Sequence, residues 1–176
     1  MAAAKLFRDR GYQATSMRDL AEAVDLKASS LYNHIGSKEE ILSEICLQNA
    51  DRFSSGMEGI TKMQEGPLLK IKALIKLHIE IAITDYTSIT SFNDEWRHLS
   101  EPALSEFTGK RKLYEQQFKE IIKAGIEQDL IKAVDPQICL NTILSSTRWV
   151  YDYKAKADIE KNTNSIIGIL LDGISV

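Results

Sequence analysis

The sequence predicts an all-α protein, with a small three-helix domain at its N-terminus and a larger helical domain behind it. Strand signals are nearly absent: no run of alternating β-branched residues is bounded by Asn-Gly or Asp-Gly turns. Apolar residues instead recur at helical spacing in segment after segment. Stop and start residues, chiefly Gly, Ser, Asp and Pro, separate those segments at helix-sized intervals. The 176 residues are 44% apolar and 27% charged, which suits a chain that buries a core and excludes disordered, collagen-like and disulfide-scaffold classes.

The first helix runs through residues 7–10 and stops at Gly11, a residue suited to a left-handed C-terminal cap. A second begins after Thr15 or Ser16, either of which caps free backbone N–H groups, and carries Met17, Leu20, Ala21 and Val24 on one side. A tight turn at Val24, Asp25 and Leu26 leads into a short helix over residues 28–34, and Asp suits that turn because it tolerates the left-handed conformation. Gly36 and Ser37 break and recap the chain, and Lys38 opens a long helix that carries Ile41, Leu42, Ile45, Cys46 and Asn49 into the fifties. The pattern frays over residues 56–67. Leu68, Ile71, Leu74, Ile75, Ile79 and Ala82 then mark an amphipathic helix ending near Asp85, followed by a less regular segment over residues 86–99. A helix over about residues 102–128 aligns Leu104, Phe107, Tyr114, Phe118, Ile121, Ile122 and Gly125, and two last helices span about residues 135–154 and 158–173. Pro102 and Pro136 mark helix starts, where proline loses only a donor that is already unpaired.

Composition narrows the function classes. Cys46 and Cys139 lie far apart without CxxC or Cys/His ligand spacing, and read as buried free thiols in a reducing compartment. No signal-peptide pattern opens the chain, and its longest strongly apolar stretch, residues 166–171, is far below the roughly 20 residues that cross a bilayer, so no membrane role and a cytoplasmic location are expected. HExxH, P-loop, GxSxG and dinucleotide fingerprints are absent and the three histidines are scattered, so no enzyme, cofactor or metal is expected. The net charge is −3; residues 1–40 balance six Lys/Arg against six Asp/Glu, the remainder 16 against 19, so charge by itself does not point to nucleic acid.

The densest signal lies between Thr15 and Leu42. Two short helices with apolar inner faces, joined by a tight turn, form the helix-turn-helix pattern, whose second helix is presented to the DNA major groove. Leu20, Ala21, Leu26, Leu31 and Ile35 read as its packing residues, Ala21 small enough to let the helices cross closely. Through Leu6-Phe7, Gly11-Tyr12, Thr15-Ser16, Arg18, Leu20-Ala21, Leu31-Tyr32, His34, Ser37-Lys38-Glu39 and Leu42 the first 40 or so residues resemble the TetR family of regulators without a gap. That resemblance implies that Tyr32, His34 and Lys38 contact backbone phosphates and that Thr15, Ser16 and Arg18 stand at the matching start of the second helix. Ala28, Ser29 and Ser30 would face base edges, the hydroxyls donating or accepting and the alanine methyl meeting thymine. The plain alternatives stay open: Tyr32 closing the small core, Lys38 a solvated first-turn charge, His34 a helix-end cap. Lys27 stands for the family's usual Ser, Asp25 for its turn Gly and Ser29 for its common Gly or Pro, so operator preference does not transfer; the family's first helix also normally begins several residues before the present Met1.

Residues 1–45 are thus expected to form the DNA-binding domain and residues 46–176 a helical effector-binding and dimerisation domain. Residues 93–99, 111–115 and 148–151 resemble segments of acyl-CoA-responsive members, which implies an apolar tunnel with Arg97, Arg111 or Arg148 near phosphate or carboxylate; Phe92, Trp96, Phe107, Tyr114 and Trp149 are the further residues expected to line it. Arg111 equally suits an internal ion pair, His78 a satisfied core histidine, and Trp96 and Trp149 plain core packing. Family dimers pair the last two helices. Ser145, Ser146, Ile159, Ile166, Ile167, Leu170 and Ile174 would form that face, spacing two recognition helices for successive major grooves of a palindromic operator that a small-molecule inducer releases. The expected function is a ligand-responsive repressor binding double-stranded DNA as a homodimer; the alternative is a helical protein-interaction module without sequence-specific DNA binding.

Overall fold

The computed structural model describes residues 2–152 and 159–174. Over these the chain is helical, with no extended strand. Helix α1, Ala2–Arg10, begins earlier than its cap signals suggest because Ala2 to Ala4 are strong helix formers and Ala4 joins Phe7 in the core. It ends where expected: Gly11 has φ +83° and returns its N–H to the carbonyl of Phe7 at 2.8 Å. Helix α2, Met17–Glu22, starts in a reciprocal cap in which Ser16 Oγ accepts from Asp19 N–H at 3.2 Å while Asp19 accepts from Ser16 N–H at 2.8 Å. The turn is built on Asp25 at φ 55°, with Leu26 N–H closing onto the Ala21 carbonyl at 2.9 Å. Helix α3, Ala28–Tyr32, is one turn and a half long and has no side-chain cap, since Lys27 occupies the N-cap position.

Helix α4, Lys38–Thr61, runs straight through the segment where the sequence pattern frays. Gly56 weakens the pattern for a packing reason: a Cβ there would lie 2.5 Å from the side chain of Leu77. Helix α5, Pro67–Thr84, uses the third proline as its opening residue. The segment read as irregular is helix α6, Tyr86–Asp94, capped by Asp85 and followed by a 3₁₀ turn at Trp96–His98; its serines and threonines hide the period, yet Thr87, Ser88 and Ser91 are buried. Helix α7, Ala103–Glu127, helix α8, Pro136–Arg148, a 3₁₀ turn at Trp149–Asp152 and helix α9, Ile159–Ile174, complete the order. Asp135 caps α8 by accepting from Gln137 and Ile138 N–H.

Packing sorts the described residues into two compact units, Met1–Asp51 with Asp85–Gly109, and Arg52–Thr84 with Lys110–Val176. In the first, Phe7, Leu20, Ala21, Leu31, Leu42, Ile45, Leu99 and Phe107 share one apolar core. Within it α6 packs on α1, and the Arg8 guanidinium lies 4.7 Å over the ring of Tyr86. Leu26, expected in this core, is 44% exposed, because the left-handed turn carries it outward. In the second unit α5 lies against α8 and α9, burying Ile71, Leu74, Ile75, Ile79, Leu140 and Ile143. Cys46 and Cys139 are buried free thiols, and burial pushes the Cys46 thiol up to about 12, so it stays protonated and inert.

The turn supplies the first test. Asp25→Gly removes the left-handed penalty and leaves stability equal or higher, whereas Asp25→Val lowers it by about 1–2 kcal/mol, measured as a shift in thermal midpoint.

Candidate nucleic-acid interface and helical-domain site

Helix α3 stands on the first unit by its apolar side. Leu31 is 6% exposed, while Ala28 and Ile35 pack against the same core. Ala28 is partly buried against that core, which leaves its methyl less open to base edges than expected. Ser29, Tyr32 and His34 are exposed and Ser30 is half-buried. Tyr32 at 55% exposure is not a core residue, which removes the plain alternative for it. Ser16 and Arg18 are exposed at the start of α2, Arg18 pairing along its helix with Glu22 at 3.1 Å. Such an exposed pair is worth little and leaves the guanidinium free to exchange partners.

Two expected contacts turn inward instead. Thr15 is 1% exposed and its hydroxyl donates to the Gly11 carbonyl at 2.8 Å, so no side-chain contact with DNA is available to it in this structure. Lys38 reaches back across the unit: its Nζ donates to the carbonyls of Tyr12 and Thr15, each at 2.7 Å, and lies 4.2 Å over the Tyr12 ring. Tyr12 is held from its other side. Its ring stacks on His98 at 5.1 Å, its N–H donates to Glu95 Oε1 at 3.1 Å, and Glu95 also lies 3.4 Å from His98 Nε2. Burial raises the Tyr12 hydroxyl pKa, helped by the nearby Glu39 and Glu95 carboxylates. The loop that feeds the helix-turn-helix is thus fastened to the start of α4 and to the 3₁₀ turn.

The residues expected around a ligand divide between the units. In the first, Phe107 is buried and packs against Phe92 at 5.3 Å and Trp96 at 5.6 Å, and Arg97 covers the Trp96 ring at 4.8 Å. Trp96 and Phe92 are partly buried against this core, so their rings pack on Phe107 as an interior cluster. In the second, Tyr114 is 7% exposed and its hydroxyl lies 2.7 Å from His78 Nε2, with Phe53 4.6 Å from the imidazole and Phe118 6.3 Å from Tyr114. His78 is the satisfied core histidine its helical face suggests, and desolvation lowers it to about 4. Arg111 is exposed and pairs along its helix with Glu115 at 2.8 Å, its long stem letting the charge stay in water. Arg148 and Trp149 are exposed, Trp149 at 47%, against the core-packing alternative for that ring.

Of the expected dimer face, Ile167 is 5% exposed within its own subunit, because it and Thr163 share the side of α9 turned inward. Ile166 and Leu170 are half-buried, Ser145 exposed and Ser146 half-buried. The side chains of Ile159 and Ile174 lie outside the described residues. Ile169, missing from the sequence-based set, is 76% exposed on the opposite side of α9.

Two family models match the chain. Residues 64–154 match the family model described as "Tetracyclin repressor-like, C-terminal domain", and residues 1–45 match "Bacterial regulatory proteins, tetR family". The chain belongs to the TetR family. The HTH-type transcriptional repressor KstR2 of Mycobacterium tuberculosis is 26% identical over 149 residues, covering 84% of this chain and 74% of that protein. KstR2 of Rhodococcus jostii is 26% identical over 182 residues, covering 98% and 87%. Among solved structures, the TetR-family regulator PfmR of Thermus thermophilus is 27% identical with a TM-score of 0.83, covering 97% and 95%. The ketosteroid regulator KstR2 of Mycobacterium tuberculosis superposes with a TM-score of 0.91 at 24% identity over 99% and 92% of the two chains. AibR in complex with isovaleryl coenzyme A and operator DNA gives 0.84 at 24% over 97% and 94%. No helix of the described residues is long and apolar enough to cross a membrane.

The TetR-family pattern leads to Tyr32 and Lys38 but passes over Lys27 and Asn33, both exposed at the two ends of α3. Only their exposure in the folded head singles them out.

Two measurements test these contacts. Lys38→Met removes a cation from three carbonyls, those of Tyr12, Gln13 and Thr15, and lowers stability by about 1–2 kcal/mol, roughly 3–6 °C in thermal midpoint for a chain of this size; an unchanged midpoint shows that the bonds contribute nothing net. His78 is neutral in the fold down to about 4, whereas in the unfolded chain it takes up a proton below 6.5. Protonation therefore favours unfolding, and stability is full above pH 6.5 and falls between pH 6.5 and 4 by up to roughly 3 kcal/mol. Thermal melts across that window show a flatter profile for His78→Gln, which keeps a partner for Tyr114 but does not titrate.

Proposed function

We propose that this chain is a transcriptional repressor that binds a palindromic operator as a homodimer and is released by a small-molecule effector. The observation that carries the reading is α3: a short helix whose apolar side is sunk in the core and whose polar side, with Ser29 and Tyr32, is left bare. Many surface helices share this amphipathic form; what favours DNA is its place as the second helix of a helix-turn-helix, whose bare side a major groove accepts. In this reading residues 1–45 bind the operator, with Ser16, Arg18, Ser29, Ser30, Tyr32 and His34 at its surface. Lys38 acts on the duplex chiefly by holding the residues before α2 in place.

Residues 46–176 take the effector and dimerisation roles. Curated relatives are repressors, and a solved protein of the same fold is titled with both isovaleryl coenzyme A and operator DNA. An acyl-CoA or another lipid-like molecule is accordingly the effector class proposed here, supported at the level of fold. For the dimer, the exposed Ile169 beside the half-buried Ile166 and Leu170 on α9 offers the apolar stripe that a pairing helix needs.

The purified chain should retain a palindromic duplex from a randomised library, with log affinity falling linearly as log salt rises. A strictly monomeric chain that retains no duplex at low salt overturns the reading. Thermal shift against acyl-CoAs of graded chain length tests the effector: a midpoint rising with ligand concentration is expected, and no response at any length removes that class.

A further inference from the structure

Helix α3 carries a polar side chain that the fold itself does not use. Asn33 closes the helix at φ −70° and ψ −18°, the ordinary right-handed conformation, and so not the left-handed position at which Asn outperforms other residues. Asn is one of the weaker helix formers, and only its backbone N–H, which any residue supplies, serves the helix end. Its side chain is exposed and its amide enters no hydrogen bond among the described residues. Every structural reason for an asparagine at this place is therefore missing.

Its position is not neutral. Ala28, Leu31 and Ile35 define the buried side of the segment. Ser29 and Asn33, four residues apart, fall together on the side opposite. Helical side chains lean toward the N-terminus, which brings the Asn33 amide over the turn that carries Ser29. The two Cα atoms are about 6 Å apart along the axis, roughly two base-pair steps. Flanking them, Tyr32 is long and exposed and Ser30 is half-buried.

The chemistry of that outward pair is unequal. A serine hydroxyl donates or accepts and so meets almost any base edge. A primary amide carries a donor and an acceptor side by side, and the adenine edge in the major groove presents the complementary acceptor N7 and donor N6–H; guanine shows two acceptors there. We propose that Asn33 is the specificity-determining residue of the recognition helix and reads one adenine in each half-site through N6 and N7. This rests on the operator-binding reading above and adds to it the base that the helix selects.

The test is selection from a randomised duplex library with full-length wild type and Asn33→Ala, after a thermal melt confirms that the exposed substitution leaves folding intact. Wild type should enrich a palindromic motif with adenine at one symmetric position per half-site. Asn33→Ala should lose the preference at that position alone and bind the wild-type motif ~10-fold or more weakly. Replacing that adenine by 7-deazaadenine should weaken wild type to a similar degree and leave Asn33→Ala unaffected, since N7 is then the atom both changes remove from use. If Asn33→Ala enriches the same motif with the same strength, or the 7-deaza duplex binds wild type undiminished, the assignment is overturned while operator binding stands. A wild-type chain that enriches no motif overturns operator binding itself, and the assignment falls with it.

Discussion

The head of this protein depends on one cation placed on backbone carbonyls. Residues 11–15 leave α1 through a left-handed glycine and enter α2 through a serine cap, and Tyr12 is the one large side chain that ties this loop to the core. Lys38 fastens it from below by donating to Tyr12 and Thr15, while its charge lies over the Tyr12 ring. A carbonyl has two lone pairs, and in a connecting loop these are otherwise left to water. With them satisfied, α2 is delivered at a fixed height relative to α4, and α3 inherits that position through a short turn. His98 and Glu95 close the opposite side of Tyr12, so a segment some 80 residues further along the chain becomes part of the head. The order of elements along the sequence and their grouping in space are different things here.

That difference sets what the sequence could reveal. The helix-turn-helix was legible because its signals are local: Gly11, the Ser16 cap, Asp25 in the turn and the buried Leu20, Ala21 and Leu31 all act within a few residues. Local signals failed where packing decides. Gly56 looks like a break and is a contact with Leu77; the Ser/Thr-rich α6 looks like a loop and is a buried helix; Ile167 looks like one of an exposed stripe and faces inward. Thr15 and Lys38 match a family pattern in sequence, yet their side chains serve the fold. Polar residues used for architecture cannot be told from polar residues used for contact until their partners are known.

The second unit shows the complementary arrangement. Among its described residues buried polar side chains are few, and the pair His78 and Tyr114 satisfy one another among phenylalanine rings. A hydrogen-bonded pair of this kind costs little while intact and a good deal when one member is lost, which fixes the relation of α5 to α7 more sharply than apolar packing alone. Adjustable contacts, by contrast, lie at its surface, in Arg111, Arg148 and Trp149.

The economy of α3 has an evolutionary side. A helix of five residues without a side-chain cap owes almost nothing to its own chain and is held by Leu31, Ala28 and Ile35. Residues on the other side are thermodynamically decoupled from what keeps the head folded. Substitutions there cross no stability threshold, so a lineage can drift from one target sequence to another without passing through an unfolded intermediate genotype. The same decoupling means that the pedestal and the lettering on its face can change independently of one another.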